Sequence, residues 1–131
     1  GADELGGQPL TPALLLECEL DFQQASDSAF LQELELMQPF GAGNAEPVFA
    51  SPELTVVDRS PLGYSGDHVR LRLKDSASGI TLMAKGWNMA TAFPPSSVGS
   101  RIRVAYTPRL DYYRGVASID VGIKDWQPVA D

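Results

Sequence analysis

Polar and apolar residues alternate without a break in the segment His68-Val69-Arg70-Leu71-Arg72-Leu73-Lys74. Successive side chains of a β-strand point to opposite faces of its sheet, so this period of two predicts a strand. The apolar residues should enter a core, and the four basic residues between them should line the outside. The segment is therefore typical of a sheet with one packed and one solvated face.

Four other segments share this period of two, and residues rich in Gly, Pro and Asp separate them. They are residues 48–57, 80–87, 102–110 and 116–123. A short helical or irregular piece at residues 88–93 is expected between the third and fourth strands. Five strands with such an insertion predict a mainly β protein, a five-stranded Greek-key barrel of the OB-fold type. Another small five-stranded barrel, or an open sheet, would give a similar pattern.

The residues before this barrel differ from it in composition and in period. Residues 14–22 alternate and predict a strand, and residues 26–28 offer the N-cap of a helix that should stop before Pro39. We therefore divide the chain into an acidic linker, strand and connecting helix over residues 1–46 and an OB-fold domain over residues 47–131. The acidic connector, residues 14–36, is expected to pack against a neighbouring domain.

Charge is distributed very unevenly along the 131 residues, whose net charge is −7. Residues 1–55 contain ten acidic residues and no Lys or Arg. All ten basic residues lie between Arg59 and Lys124, where four aspartates oppose them, so that this stretch carries +6. The second part of the chain is therefore suited to a polyanionic partner, although the whole chain is acidic.

Several classes of function are excluded by what the sequence lacks. One His and one Cys cannot assemble a zinc site of the usual kind, and neither a nucleophile elbow nor a phosphate-binding Gly-rich loop occurs. Without a run of about 18 apolar residues or a secretory leader, we expect no membrane span. The lone Cys18 indicates a reducing, cytoplasmic compartment. We accordingly predict no catalytic residue, metal site or cofactor within this chain.

Cations and aromatic residues converge on the predicted outer face. Alternate residues of a strand are about 6.6 Å apart, roughly the phosphate spacing of an extended single strand. OB-folds bind oligonucleotides across their second and third strands and through the loop between the fourth and fifth. The candidate nucleic-acid-binding residues are therefore Arg70, Arg72, Lys74, Lys85, Trp87, Arg101, Arg103, Tyr112, Tyr113 and Arg114.

These residues also have simpler interpretations. Alternating cations occur on solvated strand faces, where they prevent edge-to-edge aggregation. Trp87 could cover the bottom of the barrel, and Tyr112 and Tyr113 could close a hairpin by cross-strand packing. We interpret His68 as an ordinary strand residue.

The chain also resembles the RecJ family of bacterial single-strand-specific DNA exonucleases, which belong to the DHH superfamily. The resemblance is carried by Met37-Gln38-Pro39-Phe40-Gly41-Ala42-Gly43-Asn44-Ala45-Glu46-Pro47-Val48-Phe49. It continues in residues 68–73, 104–107 and 123–128. Ala45 departs from the usual proline, and Lys85 stands where an aromatic residue is expected in relatives. The Asp-His-His metal cluster of the family and the Gly-Gly-His motif of its DHHA1 domain are absent from the sequence.

The resemblance implies a C-terminal OB-fold domain of a 5′–3′ single-stranded DNA exonuclease of DNA repair and recombination. DHH and DHHA1 domains of the same parent chain would hydrolyse DNA with Mn²⁺ or Mg²⁺, and this domain would bind the strand and guide it to them. Two alternatives stay open. The domain could be a structural element with little DNA affinity, or a docking site for the acidic tail of single-stranded-DNA-binding protein.

Overall fold

A computed structural model of the chain describes residues 19–36 and 47–130, which form a β-barrel preceded by two short helices. The period of two in the sequence becomes strands, and the residues between them become turns. The helices are α1 (Phe22–Ala25) and α2 (Ser28–Glu35). The strands are β1 (Phe49–Ala50), β2 (Leu54–Leu62), β3 (His68–Asp75), β4 (Thr81–Gly86), β5 (Arg101–Tyr113) and β6 (Val116–Pro128).

The strands close into a ring. Their order is β1-β5-β2-β3-β4-β6, and β6 pairs back onto β5. Strands β4 and β6 run parallel, whereas the other neighbours in the ring run antiparallel. Turns and a 3₁₀ helix at Pro95–Ser97 fill the connection between β4 and β5. This closed Greek-key order is that of an OB-fold, so the predicted fold is confirmed and an open sheet is excluded.

The alternation in β3 separates the core from the surface as the sequence predicts. Val69, Leu71 and Leu73 are completely buried, whereas Arg72 and Lys74 are exposed. Burying a side chain of this size contributes about 1.5–3 kcal/mol to the free energy of unfolding. The other buried apolar residues of the barrel are Leu54, Val56, Ala84, Phe93, Ile102, Val104, Tyr106, Val121 and Ile123.

The first predicted strand of the barrel, residues 48–57, is divided in the structure. Pairing breaks after β1 and resumes with β2, which then continues to Leu62. Pro52 lies in the gap and has no N–H to donate to a ladder. The buried Ser51 fills the break, because its hydroxyl accepts a hydrogen bond from the Val104 N–H at 2.9 Å. A single uninterrupted strand over residues 48–57 was therefore a wrong prediction.

The strand predicted for residues 14–22 is also wrong at its described end. Residues 14–18 lie outside the described part, and Glu19 forms one isolated parallel bridge with Ala50. Asp21 then caps α1, since its carboxylate accepts from the Gln24 N–H at 2.8 Å. Phe22 consequently begins a helix. The alternation of Leu20 and Phe22 reflects their burial against the barrel, not a continuing strand.

The helices dock onto the barrel through apolar and polar contacts. The Tyr106 hydroxyl donates to the Leu20 carbonyl at 2.6 Å, and its ring meets Phe22 edge to face. Buried Asp75, the last residue of β3, accepts from the Phe22 N–H at 3.1 Å. Helix α2 begins after Asp27, which caps it as predicted. The proposed boundary between residues 46 and 47 stays a prediction, although Leu20 shares the barrel core.

Within residues 19–36 and 47–130, no helix has the length and apolar character needed to cross a membrane.

Candidate nucleic-acid interface

Strand β3 presents a row of cations on the outside of the barrel. We call Arg70, Arg72 and Lys74 the cationic strip; Arg70 is half-buried and the other two are exposed. In the part of the chain that the structure describes, none of the three forms an ion pair. Their charges are therefore available to an external anion.

A β-bulge brings polar groups of β2 onto the same face as the strip. The register between β2 and β3 shifts between Val56 and Asp58, so that Asp58 lies opposite Arg72 and Ser60 opposite Arg70. Because successive side chains alternate along a strand, the next residue, Arg59, points to the opposite side from Asp58 and lies opposite the buried Leu71. A shallow depression results, lined by Asp58, Arg59, Ser60, Arg70, Leu71, Arg72 and Met83.

Lys85 extends the positive face onto β4, but its charge is partly neutralised. It lies opposite Arg70; the sequence pattern predicts only that Lys85 faces outward, not which residue it pairs with. Its ammonium nitrogen is 3.3 Å from the Asp120 carboxylate on β6. The Asp120 side chain is 15% exposed, so solvent screens this pair less than a fully exposed one. Lys85 therefore offers less net charge to a ligand than a residue of the cationic strip.

Trp87 lies immediately after β4 and is not a core residue. The residue is 54% exposed, and its ring meets that of His68 edge to face with centroids 4.9 Å apart. The alternative that Trp87 covers the barrel bottom is therefore wrong. Phe93 and Trp126 pack into the core instead, with ring centroids 4.6 Å apart. The exposed Trp87 is suited to stack on a base.

The loop between β2 and β3 supplies an aromatic residue that the sequence analysis missed. Tyr64 is fully exposed, and the flanking Gly63 and Gly66 both adopt positive φ angles. Because Leu62 pairs with His68, this loop lies at the same end of β3 as Trp87. An isolated tyrosine between two glycines and two predicted strands is a recognisable signal. OB-folds use this loop for their ligands.

The candidates on β5 lie apart from the cationic strip. In the ring, β2 separates β5 from β3. The Arg101 guanidinium forms an ion pair with Glu53 at 2.8 Å, and Arg103 is exposed opposite Gln127. The structure therefore does not bring these two arginines onto the face that Arg70 and Lys85 share.

The remaining candidates lie at the hairpin between β5 and β6. Arg114 and Gly115 form the two-residue turn, and both have positive φ angles. Tyr112 and Tyr113 end β5, but their side chains lie outside the described part. Since β6 runs parallel to β4, the register places this hairpin beyond the Thr81 end of β4, away from Trp87. The cationic strip thus runs between two loops that carry aromatic residues.

The closed barrel and its outer face define the chain as an OB-fold domain with a cationic outer surface. The RecJ OB domain family model matches residues 16–125, and the chain belongs to this family. It is similar to the single-stranded-DNA-specific exonuclease RecJ of Haemophilus influenzae, at 25% identity over 98% of this chain. The chain spans 22% of the length of that relative.

Two solved structures of RecJ from Thermus thermophilus share this fold. The complex with Mn²⁺ has a TM-score of 0.57 and 25% identity, and covers 79% of this chain and 14% of that one. The complex with Mg²⁺ has a TM-score of 0.56 and 27% identity, and covers 79% and 15% respectively. Among the residues described here, no group of three or more His, Cys, Asp or Glu is placed to hold a metal ion.

Proposed function

We propose that this chain binds single-stranded DNA as the OB domain of a RecJ-type exonuclease and guides the strand towards a catalytic site in other domains. The observation that carries the proposal is the cationic strip, whose three side chains form no ion pair with described residues. Phosphate contacts supply most of the affinity of such a surface, and stacking on Trp87 and Tyr64 adds to it. Double-stranded DNA would not bind in this way, because its bases are already stacked on one another and cannot stack on Trp87 or Tyr64.

The parent enzyme belongs to the same proposal. Its DHH and DHHA1 domains would hydrolyse single-stranded DNA from the 5′ end with Mn²⁺ or Mg²⁺ in the bacterial cytoplasm, during DNA repair and recombination. Similarity to the RecJ exonuclease of Haemophilus influenzae and to the Mn²⁺ and Mg²⁺ complexes from Thermus thermophilus supports it. The tail of single-stranded-DNA-binding protein is a further proposed partner, since an acidic peptide would also meet the cationic strip.

Fluorescence anisotropy of a labelled oligo-dT of about 20 nucleotides tests the proposal over a salt series. The test variant is Arg70→Ala, Arg72→Ala, Lys74→Ala. Losing three contacts, at about 0.7 each for a single strand, should reduce the slope of log K against log[salt] by roughly 2. The matched variant Arg101→Ala, Arg103→Ala, Arg109→Ala removes the same formal charge from β5 and should change the slope less.

Two results would contradict the assignment to β3. Equal slope changes in the two triple variants would show that affinity follows total charge and not the cationic strip. No binding by the unmodified chain at low salt would leave the strip as a structural or protein-docking surface. Binding of an acidic peptide ending in Phe, weakened in the β3 variant, would then identify a protein-docking surface, and no peptide binding would identify a structural one.

A further inference from the structure

The turn that carries Trp87 is held by a side chain from the neighbouring strand. His68, the first residue of β3, accepts a hydrogen bond through Nδ1 from the Asn88 N–H at 2.9 Å. The same imidazole contacts the indole of Trp87 edge to face. Asn88 has a φ angle of +61°, a conformation that asparagine adopts more readily than most residues. His68 therefore fixes the backbone next to Trp87 as well as one edge of its ring.

Other anchors hold the rest of this connection independently of His68. The Ala90 N–H donates to the Asp67 carbonyl at 3.1 Å. The Arg59 guanidinium donates through Nε to the Phe93 carbonyl at 2.7 Å and reaches the Ala90 carbonyl at 3.4 Å. None of these bonds uses a group that changes charge near neutral pH. Among the hydrogen bonds described here, the bond at the Trp87–Asn88 end of the connection is the one that depends on an imidazole.

The direction of the His68 bond fixes the state of the ring. A nitrogen that accepts a hydrogen bond carries no proton, so His68 is neutral with its proton on Nε2. Protonation would place a second donor opposite the Asn88 N–H. The hydrogen bond would then be lost and replaced by repulsion between two N–H groups.

We propose that His68 is a positioning residue whose neutral imidazole holds Trp87 in place for base stacking, and whose protonation releases the Trp87–Asn88 turn. This inference rests on the proposed function, because it assigns the purpose of the turn to DNA binding. The charged groups around His68 are Asp67 beside it in the loop, Arg70 on the same face of β3, and Lys85 on β4. On β2 it faces the uncharged Leu62.

This role predicts an unusual sign for the effect of acid on DNA binding. A histidine that contacted phosphate would bind more tightly once it became positive. A positioning histidine should instead weaken binding on protonation, because the stacking residue is no longer held. The two roles therefore predict opposite changes in DNA affinity on protonation, and not merely changes of different magnitude.

NMR of the complete chain tests the positioning without DNA. On acidification, the Asn88 amide and Trp87 indole resonances should shift together with the ring resonances of His68. In His68→Asn the side-chain Oδ1 can accept in place of Nδ1, so the two resonances should stay near their neutral positions throughout. In His68→Leu, which has no acceptor, they should resemble the acid state at every pH. Resonances that ignore His68 in the unmodified chain would overturn the positioning role.

Anisotropy with the same oligo-dT then tests the consequence for binding. Acidification protonates carboxylates in every variant, so the relevant quantity is the affinity of the unmodified chain relative to His68→Asn. From about pH 7.5 to 5.5 this ratio should fall about five-fold or more, the equivalent of losing one stacked base. A ratio that rises would make His68 a phosphate contact and refute the proposal. No binding at any pH would refute the proposed function and the DNA role of His68, while the NMR titration would still decide whether His68 holds the turn.

Discussion

The buried carboxylate of Asp75 should be a principal polar support of the N-terminal helices. It is completely buried, and its two oxygens accept from the backbone N–H groups of Phe22 at 3.1 Å and Ala77 at 3.0 Å. Phe22 is also completely buried, whereas Ala77 is exposed. Truncating Asp75 would therefore leave one N–H without any partner and the other accessible to water.

These two environments set the size of the effect. A hydrogen bond to a charged group contributes about 1.5–3 kcal/mol, and a stranded buried donor is not recovered by solvent. The bond to Ala77 is partly replaced by water, so we assign it about 0.5–1 kcal/mol. Asp75→Ala should consequently lower the free energy of unfolding by about 2–4 kcal/mol. Asp75→Asn keeps one acceptor oxygen and should lie between this variant and the unmodified chain.

Urea unfolding followed by circular dichroism measures the difference, with Asp21→Ala as the matched control. Asp21 caps the same helix, but its hydrogen bonds with Gln24 are exposed to solvent. Loss of such a cap lowers stability by about 1 kcal/mol. The reasoning is refuted if Asp75→Ala is no more destabilising than Asp21→Ala, because burial would then not govern the strength of these bonds.

Two further predictions concern Tyr106 and Asp120. Burial raises the pKa of the Tyr106 hydroxyl, helped by the negative charges of Asp21 and Asp75. The stability linked to Tyr106 should be fully present below about pH 10, the pKa of an unfolded tyrosine, and be lost as pH rises above it. Unfolding in urea at about pH 11 should therefore ionise Tyr106 and raise the absorbance near 295 nm. The rise should exceed that of Tyr106→Phe by the absorbance of one tyrosinate, and equal rises in the two proteins would contradict the raised pKa. Asp120→Asn should release Lys85 from its ion pair and steepen the salt dependence of oligo-dT binding by up to about 0.7, whereas Glu53→Gln, which removes the ion pair with Arg101 on β5, should not.

The sequence predicts best those features that depend on one segment alone. The alternation in β3 is enough to separate Val69, Leu71 and Leu73 from the cationic strip, because period two reports the face of a strand directly. The cap at Asp27 is similarly local, since its carboxylate accepts from the Ala29 N–H two residues later. Neither prediction requires knowledge of which strands become neighbours.

Features that depend on pairing between distant segments were missed. The partner of Lys85 is Asp120, and only the parallel pairing of β4 with β6 brings them together. The bulge in β2 is equally invisible, because alternation from Leu54 to Val56 gives no sign that the phase changes before Asp58. Burial of Leu20 and Phe22 against the barrel gives the same alternation of apolar residues as a strand, although Phe22 begins a helix. In each case a tertiary contact overrides the local pattern.

The acidic residues of α2 do not conflict with the proposed binding of DNA, for reasons of position and screening. At physiological ionic strength, exposed charges more than about 8 Å apart are largely screened from each other. Adjacent members of the cationic strip are about 6.6 Å apart along β3, so they act together on one phosphate backbone. Helix α2 meets the barrel at β1 and β5, with Phe30 packed edge to face on Phe49, and neither strand is a neighbour of β3 in the ring. The local charge of the strip, and not the net charge of −7, should therefore govern the affinity for single-stranded DNA.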